Sequence, residues 1–193
     1  LTGNAGTTAG TNFIGTTDNV GLMFKTNNIQ SGYIDYAQSN TSFGYGSAAS
    51  MVGTANVALG GFSLYTNTTG SNNTAIGTNT LYNNLGGSEN TGVGQASLYN
   101  VTSGSRNIAL GYLAGRYITS QSDRLIIGSI DRGTISGDTT TSIIYGAQDA
   151  IPDSQRLYLN SRIYAPYIPS GVGDKSVRWN STTKEFTYAD TTS

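Results

Sequence analysis

The chain has 193 residues, of which 11% are charged, and a formal net charge of −1; a typical globular domain carries roughly 25% charged residues. Without clustered Lys and Arg we expect no nucleic-acid partner, and without a long apolar run we expect no membrane insertion. The sequence contains neither Cys nor His, which excludes disulfides, thiol nucleophiles, imidazole bases and zinc sites built on those residues. Its 13 Tyr favour a folded, β-rich chain over a disordered one.

Residues 1–39 predict a β-rich N-terminal lead-in. The stretch "VGLMFKTNN" at 20–28 alternates and then turns, and "SGYIDYA" at 31–37 follows as a second strand. We expect this lead-in to cap the repeats that follow, because the open end of a stacked sheet exposes unpaired backbone groups.

A short repeat occupies residues 40–131. Its period is too short for helix pairs, and its Gly, Asn and Thr disfavour helix, so the repeat predicts a β-solenoid with one coil of about 17 residues per unit. The first step is 16 residues and the next four are 17 each; the units begin at Asn40, Asn56, Asn73, Asn90, Asn107 and Arg124.

Each unit opens with a strand whose residues alternate between two faces. We predict that the larger residues, such as Val57 and Leu59, face the interior of the coil. The small residues between them would face outward, where another chain's backbone approaches closely; these are Ala58, Ala75, Gly92 and Ala109. A glycine then ends each strand in a turn that tolerates positive φ; these are Gly44, Gly60, Gly77, Gly94, Gly111 and Gly128.

Three units continue with "FSLY", "NTLY" and "ASLY", which predict a second short strand with Leu inside. Stacking at about 4.8 Å would align Tyr65, Tyr82 and Tyr99 as a ladder. So thin a coil has too few large apolar side chains to offset backbone ordering at roughly 1–2 kcal/mol per residue. We therefore expect an obligate, intertwined homotrimer; a monomeric solenoid with a flat, Thr-rich face is the alternative.

Residues 132–193 lose the period and predict a C-terminal β-strand region. "TTTSIIYGA", "RLYLNSRIYAPYIP" and "SVRWNSTTKEFTYA" are strand-like, and "NSTTKE" predicts a hairpin turn between "SVRW" and "EFTY". We expect these strands to form a β-prism or narrow stalk between protomers, and no long helix anywhere.

The "NTAIG…LY" coils resemble the left-handed parallel β-roll of trimeric autotransporter adhesin heads. They resemble more closely the coils of phage tail-fibre and tailspike proteins, where an endosialidase-type intramolecular chaperone usually follows. The flanking "NFIGTTDNVGLMFKTNN" and "VRWNSTTKEFTY" resemble the segments on either side of those coils. No Ser here matches the chaperone's nucleophile motif, so a chaperone would be removed or absent.

The resemblance implies a structural and adhesive segment of a trimeric tail fibre, extracellular and part of a virion. Its partners would be two further copies, other virion proteins, and a host-surface polysaccharide or protein receptor. A bacterial trimeric adhesin head, located on the bacterial outer surface, is one alternative. A polysaccharide-degrading tailspike is the other, although we expect no enzyme activity.

Four aromatic residues near the C-terminus are the candidate binding residues: Tyr164, Tyr167, Trp179 and Tyr188. Aromatic rings stack on sugar faces, and Tyr adds a hydrogen-bonding tip, so these residues predict a saccharide or protein-receptor patch. Packing within the trimer core and stalk is the alternative interpretation.

The acidic residues are scattered. Asp123 and Asp131 could approach across adjacent coils as a glycosidase-type pair, or be solvated turn residues, and we expect no catalytic residue. A second hypothesis pairs Asp123 and Asp131 with Arg116, Arg124 and Arg132 in an inter-subunit ion-pair ladder. The turns "SQSDR" and "IPDSQ" offer oxygen ligands, but no repeated Asp motif exists; we expect no metal and no cofactor.

Overall fold

The structure, a computed structural model, describes residues 14–129 and 133–134 and, beyond these, four strands at 144–147, 156–159, 175–180 and 185–190. The described parts of the chain are all β, with no helix, which confirms the predicted class. The chain divides into two units, Leu1–Asn160 and Ser161–Ser193. The first unit holds one ten-stranded sheet in which β1 to β10 follow in chain order, and the second holds a two-stranded sheet.

Twelve strands make up these two sheets. Their bounds are β1 Leu22–Thr26, β2 Ile29–Asp35, β3 Asn40–Phe43, β4 Val57–Leu59, β5 Thr74–Ile76, β6 Thr91–Val93, β7 Ile108–Leu110, β8 Arg124–Ile127, β9 Ile144–Ala147, β10 Arg156–Leu159, β11 Lys175–Asn180 and β12 Glu185–Asp190.

Strands β3 to β8 form a parallel stack whose register follows the sequence period. Val57 pairs with Thr74, Thr74 with Thr91, and Thr91 with Ile108, so equivalent residues of successive units lie side by side. The result is a β-solenoid of about five turns, which confirms the interpretation of the repeat.

Both edges of this stack continue into antiparallel strands of the same unit. At one edge β2 pairs with β3 and β1 pairs with β2; at the other edge β9 pairs with β8 and β10 pairs with β9. The strands predicted in "VGLMFKTNN" and "SGYIDYA" are therefore confirmed as β1 and β2. Strands β2 and β9 satisfy backbone groups that the ends of a parallel stack would otherwise leave unpaired.

The second unit contains an antiparallel pair of strands. β11 pairs with β12 from Lys175 opposite Asp190 to Asn180 opposite Glu185. The predicted strands "SVRW" and "EFTY" are thus confirmed as partners, and the connecting residues 181–184 lie outside the described part of the chain.

The predicted orientation of the repeat strands is wrong. Ala58 is completely buried while Leu59 is 37% exposed, so the small middle residue faces inward and its larger neighbours face outward. The reason is the narrow cross-section of the coil. At Gly92, an added Cβ would lie only 2.7 Å from Ser97 Oγ and from Thr80 Cγ2, so the interior beside this strand has no room for a larger side chain.

The space facing the small residues is filled from the opposite side of the coil. Leu64, Leu81 and Leu98 are all completely buried, as predicted. The segments that carry them are turns, however, and not the predicted second strands. These three leucines have left-handed backbone, with φ between 48° and 51°, because the chain must reverse direction within one short coil.

Successive turns are joined by backbone hydrogen bonds. Leu64 N donates to Thr80 O at 3.0 Å and Leu81 N to Ser97 O at 3.0 Å. The glycines after β3 to β7 have the predicted positive φ, for example 132° at Gly60, whereas the prediction is wrong for Gly128 after β8, whose φ is not positive. A side chain at Gly60 would also lie 2.6 Å from the backbone of Gly77 in the next coil, so both conformation and space require glycine.

The first residue of the repeat forms a buried amide ladder along the solenoid. Its members are completely or almost completely buried: Asn40, Asn56, Asn73, Asn90 and Asn107. Each side chain bonds the next; for example, Asn73 Nδ2 donates to Asn56 Oδ1 at 3.1 Å, and Asn90 Nδ2 donates to Asn73 Oδ1 at 3.2 Å. The ladder also satisfies backbone groups, since Asn73 Nδ2 donates to Gly87 O at 2.9 Å.

A second, shorter amide ladder runs beside it. Asn84 Nδ2 donates to Asn67 Oδ1 at 3.0 Å and to Gly87 O at 2.8 Å. The equivalent residue of the next coil is Val101, which is completely buried and offers no amide. Asn84 Oδ1 therefore has no hydrogen-bond partner, and the ladder ends there.

Candidate functional site

The main surface feature is the outward side of the parallel stack, which we call the outer face. Five of its large residues are between 36% and 41% exposed: Phe43, Leu59, Ile76, Ile108 and Leu110. It consists of the outward residues of β3 to β8, namely Thr41, Phe43, Val57, Leu59, Thr74, Ile76, Thr91, Val93, Ile108, Leu110, Leu125 and Ile127.

One of the two rows on the outer face is entirely apolar. We call it the apolar row: Phe43, Leu59, Ile76, Val93, Leu110 and Ile127, each paired in register with the next. The other row contains both Thr and aliphatic residues, in no regular order. Because its side chains form no hydrogen bonds with water, the apolar row is suited to packing against another apolar surface.

The apolar row extends beyond the parallel stack. The rings of Phe24 in β1 and Phe43 in β3 are 5.6 Å apart, and Ile127 pairs with the half-buried Ile144 of β9. The six strands of the outer face, at about 4.8 Å spacing and with two rows about 10 Å wide, give a face of roughly 300 Å². That is the size of the largest patches on monomeric proteins, which are often functional.

A column of aromatic rings follows the turn side of the coils. Tyr65, Tyr82 and Tyr99, which we call the tyrosine ladder, stack with centroids 5.2 Å and 5.1 Å apart; the prediction of this ladder is confirmed. Phe62 meets Tyr65 edge-on at 5.4 Å. At the other end the Arg116 guanidinium lies 5.8 Å from the centre of the Tyr99 ring, a cation–π contact.

The ion pair of Asp123 differs from the predicted ladder. Asp123 is paired with Arg106 of the preceding coil, through Nε to Oδ1 at 2.6 Å and Nη2 to Oδ2 at 2.9 Å, and not with Arg116 or Arg124. The pairing lies within one chain because residues 17 apart are neighbours in the stack. Arg132 and Asp131 lie outside the described residues.

The hydrogen bond from Arg106 is the main cause that lowers the pKa of Asp123, and the charges of Arg106 and Arg124 add to it against partial desolvation. The same bond raises the pKa of Arg106. An ionised carboxylate held by a guanidinium is a poor proton donor, so Asp123 does not suit the acid role in a glycosidase pair. Within the described residues, no group of three or more His, Cys, Asp or Glu lies close enough to hold a metal ion.

An open groove of about 690 Å³ lies at the β1–β2 end of the first unit. Its walls include the exposed Ile14, Val20 and Tyr36 together with Asp18. Ile34 also lines it and pairs in register with Thr41, so the groove borders the outer face.

Only two of the four residues of the predicted aromatic patch lie in the described part of the chain. Trp179 lies in β11 opposite Phe186, and Tyr188 lies in β12 opposite Val177, so both belong to one hairpin. Tyr164 and Tyr167 lie outside the described residues, and the patch stays a prediction. The sequence did not predict the outer face, because an alternating pattern leaves open which side of the strand is inside. The pairing of Arg106 with Asp123 was also not predicted, although their opposite charges one period apart are a signal for it.

The fold and surfaces define a β-solenoid protein. Comparisons with protein-family models, curated proteins and solved structures give no match. In the described parts of the chain, no helix is long and apolar enough to cross a membrane.

Proposed function

We propose that this chain is a structural and adhesive segment of a trimeric phage tail fibre, extracellular and part of a virion, that contributes to binding a host-surface polysaccharide or protein. The observation that carries the proposal is the outer face, a continuous apolar strip along a rigid solenoid. Three copies would surround a common axis with their outer faces inward, the coils left-handed as in the families that the sequence resembles.

The thinness of the coil supports association. Its interior holds one large leucine and small residues, such as Leu81 and Ala75 of the same buried cluster, so most of the larger aliphatic residues of each strand are on the outside. Burying roughly 300 Å² of this mostly apolar surface on each copy at about 25 cal/mol per Å² would contribute at most about 7 kcal/mol per copy. A monomer would lack this gain. The contact between copies would therefore use the larger outward residues of the strands and not, as expected from the sequence, the small residues.

The same proposal includes the two ends of the solenoid. Strands β1 and β2 would cap one end of each copy's solenoid, and the region from residue 132 would continue as a β-prism or stalk. Other virion proteins would join the rod at its ends. Three identical receptor sites on one rod would bind a repetitive surface by avidity, since linked sites gain effective concentration without new contacts.

Two measurements test the proposal. Sedimentation equilibrium at micromolar concentration should give three times the 20.2 kDa chain mass, and a single-chain mass would contradict the trimer. The assembled protein should bind intact host cells or their purified surface polysaccharide and release no oligosaccharide. Release of oligosaccharide would favour the tailspike alternative, and an absence of binding to any bacterial surface would contradict the adhesive role.

A further inference from the structure

We propose that the tyrosine ladder is an oxidative cross-linking site, at which a one-electron oxidant joins Tyr82 to Tyr99 and covalently staples two consecutive coils. The two rings are 5.1 Å apart and within 8° of parallel. Tyr65 and Tyr82 are almost as close, at 5.2 Å and 19°. In a chain that has no Cys, this is a place where a covalent bond between coils can form.

The chemistry is a phenol coupling. Each tyrosine loses one electron to the oxidant and its hydroxyl proton to water, giving two phenoxyl radicals whose unpaired electrons are shared with the ortho carbons. Two ortho carbons form a carbon–carbon bond, and each then passes its hydrogen to its own oxygen, which restores the phenols. With persulfate as final acceptor, its O–O bond takes up two electrons and becomes two sulfates, so the protein loses two hydrogens per link.

The fold favours coupling along the column because it holds the rings face to face. Asn83 N donates to Tyr99 O at 3.0 Å, and Asn83 Nδ2 donates to Asn100 Oδ1 at 3.1 Å, which fixes the backbone beside both rings. The rings are half-buried, so they are confined while one edge reaches solvent. Radicals on neighbouring rings therefore meet each other before they meet another molecule.

The positions of the glutamates give a direct assay. Glu89 and Glu185 are the only Glu in the sequence, so a glutamate-specific protease cuts the denatured chain into 1–89, 90–185 and 186–193. Tyr82 and Tyr99 fall in the first two fragments. After brief illumination of the native protein with tris(bipyridine)ruthenium and persulfate, we expect these two fragments to stay joined on a denaturing gel, with a mass two hydrogens below their sum.

Two variants locate the bond. Tyr99→Phe keeps a stacking ring but cannot form a phenoxyl radical, so the two fragments should separate. Tyr112→Phe is the matched control, because Tyr112 lies in the same fragment, is 49% exposed and stands outside the ladder; the fragments should stay joined. Oxidation in denaturing urea should abolish the preference for Tyr99.

The proposal is overturned if tyrosine is consumed while the parent fragments separate. It is equally overturned if Tyr112→Phe loses the joined product as fully as Tyr99→Phe, or if Tyr99→Phe retains it. When only the oxidised protein that runs at the single-chain mass before proteolysis is digested, the assay reads a bond within one chain, and its result is independent of whether the chain forms a trimer.

Discussion

At the scale of single residues, the coil depends on backbone conformations that L-amino acids seldom adopt. One coil alone contains left-handed backbone at Asn79, Leu81 and Glu89, with φ of 58°, 51° and 60°. Each such residue other than Gly costs roughly 1–2 kcal/mol, although Asn tolerates the region better than most. At Leu81 complete burial offsets the cost, whereas Glu89 is exposed and gains no such compensation.

Replacing Glu89 by Asn should therefore stabilise the protein. Asn72 holds the equivalent position of the preceding coil with φ of 59°, so the site accepts Asn. We expect a gain of about 0.5–1 kcal/mol in the free energy of unfolding, from the smaller penalty for left-handed backbone, measured by urea denaturation. Glu89→Gln is the control, because it removes the same charge but keeps a long side chain; equal stabilities of the two variants would contradict the explanation.

At the scale of the elements, a loss of side-chain volume in one coil is compensated by a gain in the next. The turn position occupied by Leu64, Leu81 and Leu98 becomes Gly115 in the next coil. The strand of the following coil contributes the buried Ile126 instead of alanine, and an added Cβ on Gly115 would lie 3.3 Å from its Cδ1. The volume lost from the turn is thus supplied by the strand, and the interior stays filled.

The two amide ladders give a matched prediction. Asn73 and Asn84 are both completely buried, but Asn73 also accepts bonds from Asn90 N at 3.0 Å and Asn90 Nδ2 at 3.2 Å, whereas Asn84 Oδ1 accepts none. Asn73→Ala leaves a buried N–H unpaired and should cost about 3 kcal/mol, and Asn84→Ala should cost about 1 kcal/mol.

Urea denaturation of both variants at one protein concentration tests this ranking. If Asn84→Ala destabilises the protein as much as Asn73→Ala, the hydrogen bonds along the ladder do not set the cost, and side-chain volume alone would explain the loss. An Asn73→Asp variant provides a further check, because it keeps the size of the side chain but places an acceptor oxygen opposite Asn56 Oδ1 and Gly87 O; we expect it to destabilise the protein at least as much as Asn73→Ala.

At the scale of the whole molecule, the orientation of the strands determines the surface available for assembly. With the small residues inside, the aliphatic side chains of each coil lie on the outer face, at a height along the solenoid axis that is the same in every copy. Rotation about an axis parallel to the solenoid preserves that height, so rings of equivalent residues would meet in a symmetric oligomer.

A charge on the outer face should therefore break the proposed trimer. Ile76→Glu places a carboxylate in the middle of the apolar row, where burial without a partner is costly, and we expect the sedimentation mass to fall from three chains to one or the protein to unfold. Leu85→Glu is the control, because Leu85 is 50% exposed and lies on the turn side, and it should keep the trimeric mass.

Equal behaviour of these two variants would contradict the assignment of the interface. If both keep three chains, the outer face is not the contact surface. If both lose the trimer, general destabilisation explains the result better than a specific interface. Near-ultraviolet circular dichroism of the stacked tyrosines reports whether each variant retains its coils.

Much of the fold follows from the sequence alone, because a fixed period forces equivalent residues into register whatever their environment. That period determined the β-solenoid, the positive φ at Gly60 and the stacking of Tyr65, Tyr82 and Tyr99. Alternation of residue types in the flanking segments predicted the strands on either side of the solenoid, and the structure showed that these strands pair antiparallel. The tertiary structure alone decided which side of each strand is the interior, since alternation has two faces and only the width of the coil chooses between them. For the same reason, the unpaired oxygen of Asn84, the compensation between Gly115 and Ile126 and the exposed apolar row emerged only when the coils were stacked in three dimensions.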